Sequence, residues 1–136
     1  MISGEELLKS EIKLAPIILQ EYLENKIDLR VTFIGGQIFP IKITKHGKAI
    51  TGDWRKSNKD DLEYTKIELP KTAISQIVKL MKKLNLNFGG IDLALVDDTY
   101  YFIEVNPTGE WGWLASSVGL PIDKAIVKCL VGGRRI

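Results

Sequence analysis

The chain has almost no sulfur or imidazole. Cys129 is the one cysteine and His46 the one histidine in 136 residues. A single thiol excludes an intrachain disulfide, which fits a reducing compartment. Cys129 lies in the apolar pattern Ala125-Ile126-Val127-Lys128-Cys129-Leu130 and reads as a buried structural thiol. His46 has no partner at metal-ligand spacing and reads as a turn residue. There is no run of about 18 apolar residues, so no membrane-spanning helix is expected. The opening MISGEELLKSEIKL lacks the basic and apolar regions of a signal peptide, and a cytoplasmic location is expected. Excess charge is also scarce. Lys and Arg number 19 against 17 Asp and Glu, a net +2, too little to argue for nucleic acid or a membrane surface as partner. No internal repeat or low-complexity segment is present.

What is present is an ordinary soluble composition, 45% hydrophobic and 26% charged, in a length that suits one domain over residues 1–136. Ser3 and Glu6 have capping-box spacing and open a short helix. Leu7, Leu8, Ile12 and Leu14 give it an apolar stripe to lean on a sheet, and Pro16 ends it. Ile17 to Leu23 reads as a buried strand. Asp28–Ile34 and Gln37–Thr44 read as a hairpin across Gly35-Gly36, both of which tolerate φ > 0. Pro40 demotes the second of these to an edge or bulged strand. Lys45–Tyr64 is the least regular region, and a loop of this length inside a compact domain is often functional. A helix from Leu69-Pro70 to about Leu84 carries the stripe Ile74, Ile77, Val78 and Met81, with Lys79, Lys82 and Lys83 on its wet face. Trp111–Val118 reads as a helical turn. A last helix follows Pro121 and packs through Ile122, Ala125, Ile126, Cys129 and Leu130. The expected fold class is α+β, an antiparallel sheet of about five strands with the two long helices packed on one face.

Between these helices lies the stretch that carries chemistry, FGGIDLALVDDTYYFIEVNPTGEWGW, Phe88 to Trp113. Ile91–Val96 and Tyr100–Val105 read as strands joined by an acidic turn. Side chains alternate along a strand, so Glu104 and Asn106 share a face. A three-residue loop at Asp97–Thr99 pairs Val96 with Tyr100 and, counting back, Asp92 with Glu104. A loop of two or four residues opposes Asp92 to Val105 instead. Two carboxylates directly opposite repel each other and call for a cation. Mg²⁺ takes carboxylate and amide oxygens together with substrate phosphates. On pattern alone, the wet face of a half-exposed strand fits equally well.

The run GGIDLALVDDTYYFIEVNPTGEW resembles the metal-binding hairpin of the ATP-grasp superfamily. The resemblance places Asp92, Glu104 and Asn106 as ligands of the Mg²⁺ that accompanies ATP. The continuation Asn-Pro-Thr-Gly-Glu-Trp-Gly-Trp resembles a narrower branch, the peptide maturases that make graspetides such as microviridins. ILQEYLENKIDLRVTFIG carries the second part of the likeness. It implies that Gln20, Glu21, Tyr22 and Leu23 form the hinge whose backbone meets adenine, that Asp28 reaches the ribose, and that Arg30 belongs to an Asp-x-Arg pair seen in ribosomal-protein-modifying ligases. Asp53-Trp54-Arg55 also resembles the maturases. Arg55 then holds a phosphate or carboxyl group, or is a surface arginine stacked on Trp54. Trp111 and Trp113 pack in the core or form a platform for a peptide.

The likeness runs from about Pro16 to Leu130. It implies a carboxyl-terminal part of a longer enzyme, because no amino-terminal domain and no glycine-rich lid with lysines over the phosphates precede Ile17. The implied activity is ATP-dependent ligation of a carboxylate to an amine or hydroxyl through an acyl phosphate. A peptide or small carboxylate is the substrate, and Arg30 and Arg55 position the reacting oxygens. The separate 136-residue chain is expected to be inactive and to pair as a homodimer through uncovered apolar surface, with Ile17–Leu19, Phe33, Ile34, Ile38 and Phe39 contributing. The alternative is a non-catalytic nucleotide- or peptide-binding fragment or a dimerisation module.

Overall fold

Gly35 and Gly36 take φ of 52° and 91° and turn β1 (Ile27–Ile34) back into β2 (Gln37–Lys45). This is the expected hairpin, seen in a computed structural model that describes residues 3–9, 16 and 18–132. The other elements are α1 (Gly4–Lys9), β3 (Leu62–Lys66), α2 (Lys71–Lys83), β4 (Phe88–Val96), β5 (Thr99–Asn106), α3 (Gly112–Val118) and α4 (Ile122–Gly132). All strand pairs are antiparallel, in the order β3-β2-β1-β4-β5. The α+β class and the five-stranded antiparallel sheet are as expected.

The membership of the sheet is not. Residues 18–23 of the strand expected at 17–23 form no strand, and Ile18 and Leu19 are largely exposed; residue 17 lies outside the described residues. Both sides of β1 are already paired, with β2 and β4, so the segment leading into it cannot pair with that strand. The fifth strand is β3, from the region that reads as irregular, paired to Ile41–Lys45. Pro40 does not mark an edge either. β2 is an interior strand, and Pro40 sits just where pairing with β3 stops.

Ser3 and Glu6 form the capping box in full: Ser3 N donates to Glu6 Oε2 at 2.7 Å and Glu6 N to Ser3 Oγ at 3.1 Å. α1 nevertheless buries none of its residues, and Ile12 and Leu14 lie outside the described residues.

β1 is central and buried on both faces. On one face Leu29, Val31 and Phe33 meet Ile91 and Leu93 of β4 and Ala73, Ile77 and Met81 of α2. On the other, Ile34 with Ile41 and Ile43 of β2 meets Leu114, Ile122 and Ala125 of α3 and α4. The two long helices therefore lie on opposite faces rather than sharing one, because β1 presents apolar side chains both ways and each face needs cover. Each fully buried side chain of this size contributes about 1.5–3 kcal/mol. Phe33 and Ile34, expected to add exposed area, belong to these cores, whereas Leu130, expected to pack, is 77% exposed. Cys129 is half-buried against the second core. Among the described residues no helix is long and apolar enough to cross a membrane.

Candidate functional site

Asp28, Arg30 and Thr32 interrupt the apolar pattern of β1 on a single face, and all three are buried. Buried polar groups must be paired or they destabilise the fold. Arg30 stands opposite Asp92 of β4, and its Nη1 donates to Asp92 Oδ1 at 2.9 Å, an ion pair with both side chains 8% exposed. Asp28 Oδ1 accepts from Lys26 Nζ. Burial raises the Asp28 carboxyl pKa above its ordinary value, against the pull of Lys26. Among the described residues, the buried side-chain atoms without a partner are Asp28 Oδ2, Arg30 Nε and Thr32 Oγ1.

Glu104 reaches this face through an irregularity. The turn between β4 and β5 is Asp97-Asp98, with φ of 45° and 63°, one residue shorter than the expected loop. Val96 pairs with Thr99 rather than Tyr100. A bulge at the Asp92/Leu93 step then absorbs Ile103, so that Leu93 pairs with Phe102 but Asp92 pairs with Glu104 and Gly90 with Asn106. The expected opposition of the two carboxylates is present although the expected turn is not.

Arg55 arrives from the loop between β2 and β3. Asp53 caps the short 3₁₀ turn Trp54–Lys56, accepting from Arg55 N at 3.0 Å and from its Nη1 at 3.4 Å. The guanidinium carbon lies 5.4 Å from the Trp54 ring centre. Arg55 Nη2 donates to Asp92 Oδ2 and, at 2.7 Å, to Glu104 Oε1. Burial acts to lower the Arg55 pKa, but the charges of Asp92, Asp53 and Glu104 outweigh it and raise the value. One cation thus bridges the two carboxylates that the ladder sets against each other.

This arrangement bears on Mg²⁺. Asp92 and Glu104 converge on the Arg55 guanidinium, the position between two carboxylates that a hard divalent ion would take among oxygen donors. Asn106 lies on the same face, but its Oδ1 accepts from Thr108 N at 2.9 Å and from Thr108 Oγ1 at 3.0 Å. Among the described residues no three His, Cys, Asp or Glu side chains gather as a metal site, so a third protein donor would be another kind of oxygen, for which the Asn106 amide is placed on the same face. The donor set fits the ion in chemistry and charge.

A cleft of about 560 Å³ opens beside these groups. Arg30, Arg55, Glu104 and Asn106 line it, together with an aromatic wall of Trp54, Tyr64 and Trp113 and the hydroxyls of Ser116 and Ser117. Trp113 joins that wall together, with ring centroids 4.9 Å from Tyr64 and 5.9 Å from Trp54. It also packs on the second core, as the first of its two expectations had it. Tyr64, Ser116 and Ser117 were not singled out in the sequence. Only Tyr64, alternating with Leu62, carried a strand signal that pointed inward.

The hinge residues do not join the cleft. Gln20, Glu21 and Tyr22 are exposed and Leu23 half-buried, outside any strand. Tyr22 instead lines a small hollow of about 180 Å³ with Asn25, Ile50 and Thr51. Asp28 shares Arg30's face one alternation along β1, but is not among the cleft-lining residues.

A family model for the RimK-like ATP-grasp domain matches residues 3–130. Among solved structures, the macrocyclase MdnC from Microcystis aeruginosa MRC, bound with precursor peptide MdnA, is 33% identical. It superposes with a TM-score of 0.78 over 96% of this chain and 42% of that one. A RiPP-associated ATP-grasp ligase of Chryseobacterium gregarium, in complex with ADP and a leader and core peptide, is 28% identical, with a TM-score of 0.72 over 86% of this chain and 38% of that one. D-alanine–D-alanine ligase from Bacillus anthracis shares the fold at a TM-score of 0.58 and 18% identity, over 82% of this chain and 41% of that one. Comparison with curated proteins gave no match. The chain spans less than half the length of each of these solved chains.

Proposed function

This chain belongs to the RimK-like ATP-grasp family, and from that premise we propose that it supplies the ATP- and Mg²⁺-binding part of a ligase joining a carboxylate to an amine or hydroxyl. The observation that carries the reading is the pair of opposed carboxylates, Asp92 and Glu104, bridged by Arg55 beside an open cleft. Bound with Asp92, Glu104 and Asn106, Mg²⁺ would neutralise charge on a transferring phosphoryl group. Arg30 and Arg55 hold fixed positive charge at the same wall, where phosphoryl or acyl oxygens are to be oriented. The substrate carboxylate attacks the γ-phosphorus of ATP, the bond to the β-phosphate oxygen breaks, and ADP leaves. An amine or hydroxyl then attacks the acyl phosphate and releases inorganic phosphate.

Asp28 keeps its assignment to the ribose, supported by its buried, unpartnered Oδ2, which a ribose hydroxyl would satisfy. Gln20–Leu23 keep theirs to adenine, since no strand pairing uses their backbone groups. A peptide is the proposed substrate. The aromatic wall of Trp54, Tyr64 and Trp113 gives side chains a surface to pack on, and two similar structures contain peptides. A second copy of the chain is included as a partner, because Tyr101, Phe102 and Ile103 are exposed on the edge strand β5.

Titration of ATP by calorimetry, with and without Mg²⁺, tests the reading. Binding that depends on Mg²⁺ and is lost in Glu104→Ala is expected. Binding indifferent to both would end it.

A further inference from the structure

Arg30 is buried to 6% exposure, so its guanidinium must be covered. Backbone covers it. A Cβ added at Gly90 would lie 2.5 Å from Arg30 Cζ and 2.9 Å from Nε, with Nη2 closer still. A Cβ added at Gly109 would lie 2.5 Å from Nη2 and 3.3 Å from the Cα of Gly90. Real Cβ atoms do not approach heavy atoms this closely, so any side chain at either position must push the guanidinium aside.

Neither glycine is present for its backbone conformation. The glycines at positive φ are Gly35, Gly36, Gly47, Gly52 and Gly119; Gly90 and Gly109 are not among them. Gly90 sits inside β4, paired with Thr32 on one side and Asn106 on the other. Glycine weakens a strand interior and marks a place where something approaches the backbone closely. Here the thing that approaches is Arg30.

We propose that Gly90 and Gly109 are positioning residues: they form a slot, free of side chains, that holds the Arg30 guanidinium flat between β4 and the turn after Asn106. The slot has a consequence for the site. Gly109 N donates to Asn106 O at 3.2 Å, and Thr108 in the same turn occupies Asn106 Oδ1. The guanidinium that holds Asp92 on one side therefore supports the Asn106 turn on the other. Arg30 fixes the distance between the two ends of the oxygen-donor row. Lysine cannot replace it, because a point ammonium lacks the planar fork that fills the slot and reaches Asp92 together. That part of the proposal which concerns nucleotide rests on the function proposed above; the slot itself does not.

The test is a double-mutant cycle on this chain, pairing Gly109→Ala with Arg30→Lys, because Nη2 is the one side-chain atom that a Cβ at 109 would strike within 3.3 Å and lysine has no counterpart of it. Gly112→Ala is the control, since a Cβ there meets nothing within 4 Å. In the parent, Gly109→Ala is expected to lower the folded-to-unfolded ratio by about tenfold or more, as overpacking of a close-packed site does. In the Arg30→Lys background the same change should cost less than about threefold, within the range of an unremarkable substitution. The Arg30 Nε–Hε signal, expected to exchange slowly in the parent because Nε is buried, should shift and exchange faster in Gly109→Ala and stay unchanged in Gly112→Ala. Equal losses in both backgrounds, loss of the fold in both, or an unmoved Nε signal each overturn the slot. Mg²⁺-dependent ATP binding, measured on the same four chains, should weaken with Gly109→Ala only where Arg30 is present. Absence of ATP binding in the parent would defeat the proposed function while leaving the slot to be decided by stability and the Nε signal.

Discussion

Asp92 faces Glu104 across a ladder whose Asp97-Asp98 turn, continued without interruption, would have set Asp92 against Ile103, not against Val105 as expected of a two-residue loop. The two-residue turn and the bulge cancel each other's parity. One removes a residue from the expected loop and the other inserts one into β5. An apolar Ile103 opposite Asp92 would leave the carboxylate without its counterpart, and Glu104 would turn to the other face.

The turn itself is improvable. Asp97 and Asp98 both hold φ > 0, where an aspartate is tolerated and glycine is better suited at the second position. Asp98→Gly is expected to stabilise the chain by about 0.5–1 kcal/mol and leave the Asp92–Glu104 pairing intact. Urea denaturation measures the first part and cross-strand nuclear Overhauser contacts the second.

The two carboxylates should differ sharply in what their loss costs. Asp92→Asn leaves the buried Arg30 without its counter-charge, and a loss of about 3–5 kcal/mol is expected. Glu104 is 53% exposed at its side chain, and Glu104→Gln should cost within about 1 kcal/mol. Similar losses for the two, measured by chemical denaturation, would contradict the burial assigned to the Arg30–Asp92 pair.

Arg55 and a divalent ion compete for the same oxygens. Removing the arginine in Arg55→Ala is expected to tighten Mn²⁺ binding by up to about fivefold, the equivalent of a half-exposed ion pair. Paramagnetic resonance of free Mn²⁺ gives the affinity directly. Weaker binding in the variant would show that Arg55 assists the ion instead.

Asp28 gives a pH dependence with a definite sign. Its folded carboxyl titrates above the ordinary value of 3.8, so the folded chain holds the proton more tightly than the unfolded one. The stability it contributes is complete below the unfolded pKa and is lost as pH rises through the raised one. Parent stability, taken relative to Asp28→Asn, should therefore fall as pH rises above about 3.8. A difference that stays flat, or grows with pH, would show that Lys26 governs this carboxylate.

The chain is expected to self-associate. Ile18, Leu19, Val127, Leu130, Val131, Tyr101, Phe102 and Ile103 are exposed, the last three on the outer strand β5. Sedimentation equilibrium should show mass above 15.3 kDa as concentration rises into the high micromolar range. A constant 15.3 kDa would exclude the second copy as a partner. Phe102→Lys and Ile103→Lys should shift the equilibrium toward monomer if β5 is the contact.

The sequence by itself determined what short-range rules control. Gly35-Gly36 specified a hairpin because the φ > 0 conformations belong to single residues. Ser3 and Glu6 specified a capping box because both partners lie within one turn. The period of α2 specified Ile77 and Met81 as buried, although Ile74 of the expected stripe is exposed and Ala73 is buried instead, and alternation along β5 placed Glu104 and Asn106 on one side. The tertiary structure decided everything that joins distant segments. Arg30 and Asp92 lie 62 residues apart, and Arg55 and Asp92 37 apart, so no local pattern announced that the two arginines would share one carboxylate. The polar segment Leu62–Lys66 became a strand because β2 had an edge to offer, while the apolar 18–23 remained unpaired because β1 had none. Local signals report the conformation a segment prefers. Which segments meet depends on which edges and faces the rest of the chain has already occupied.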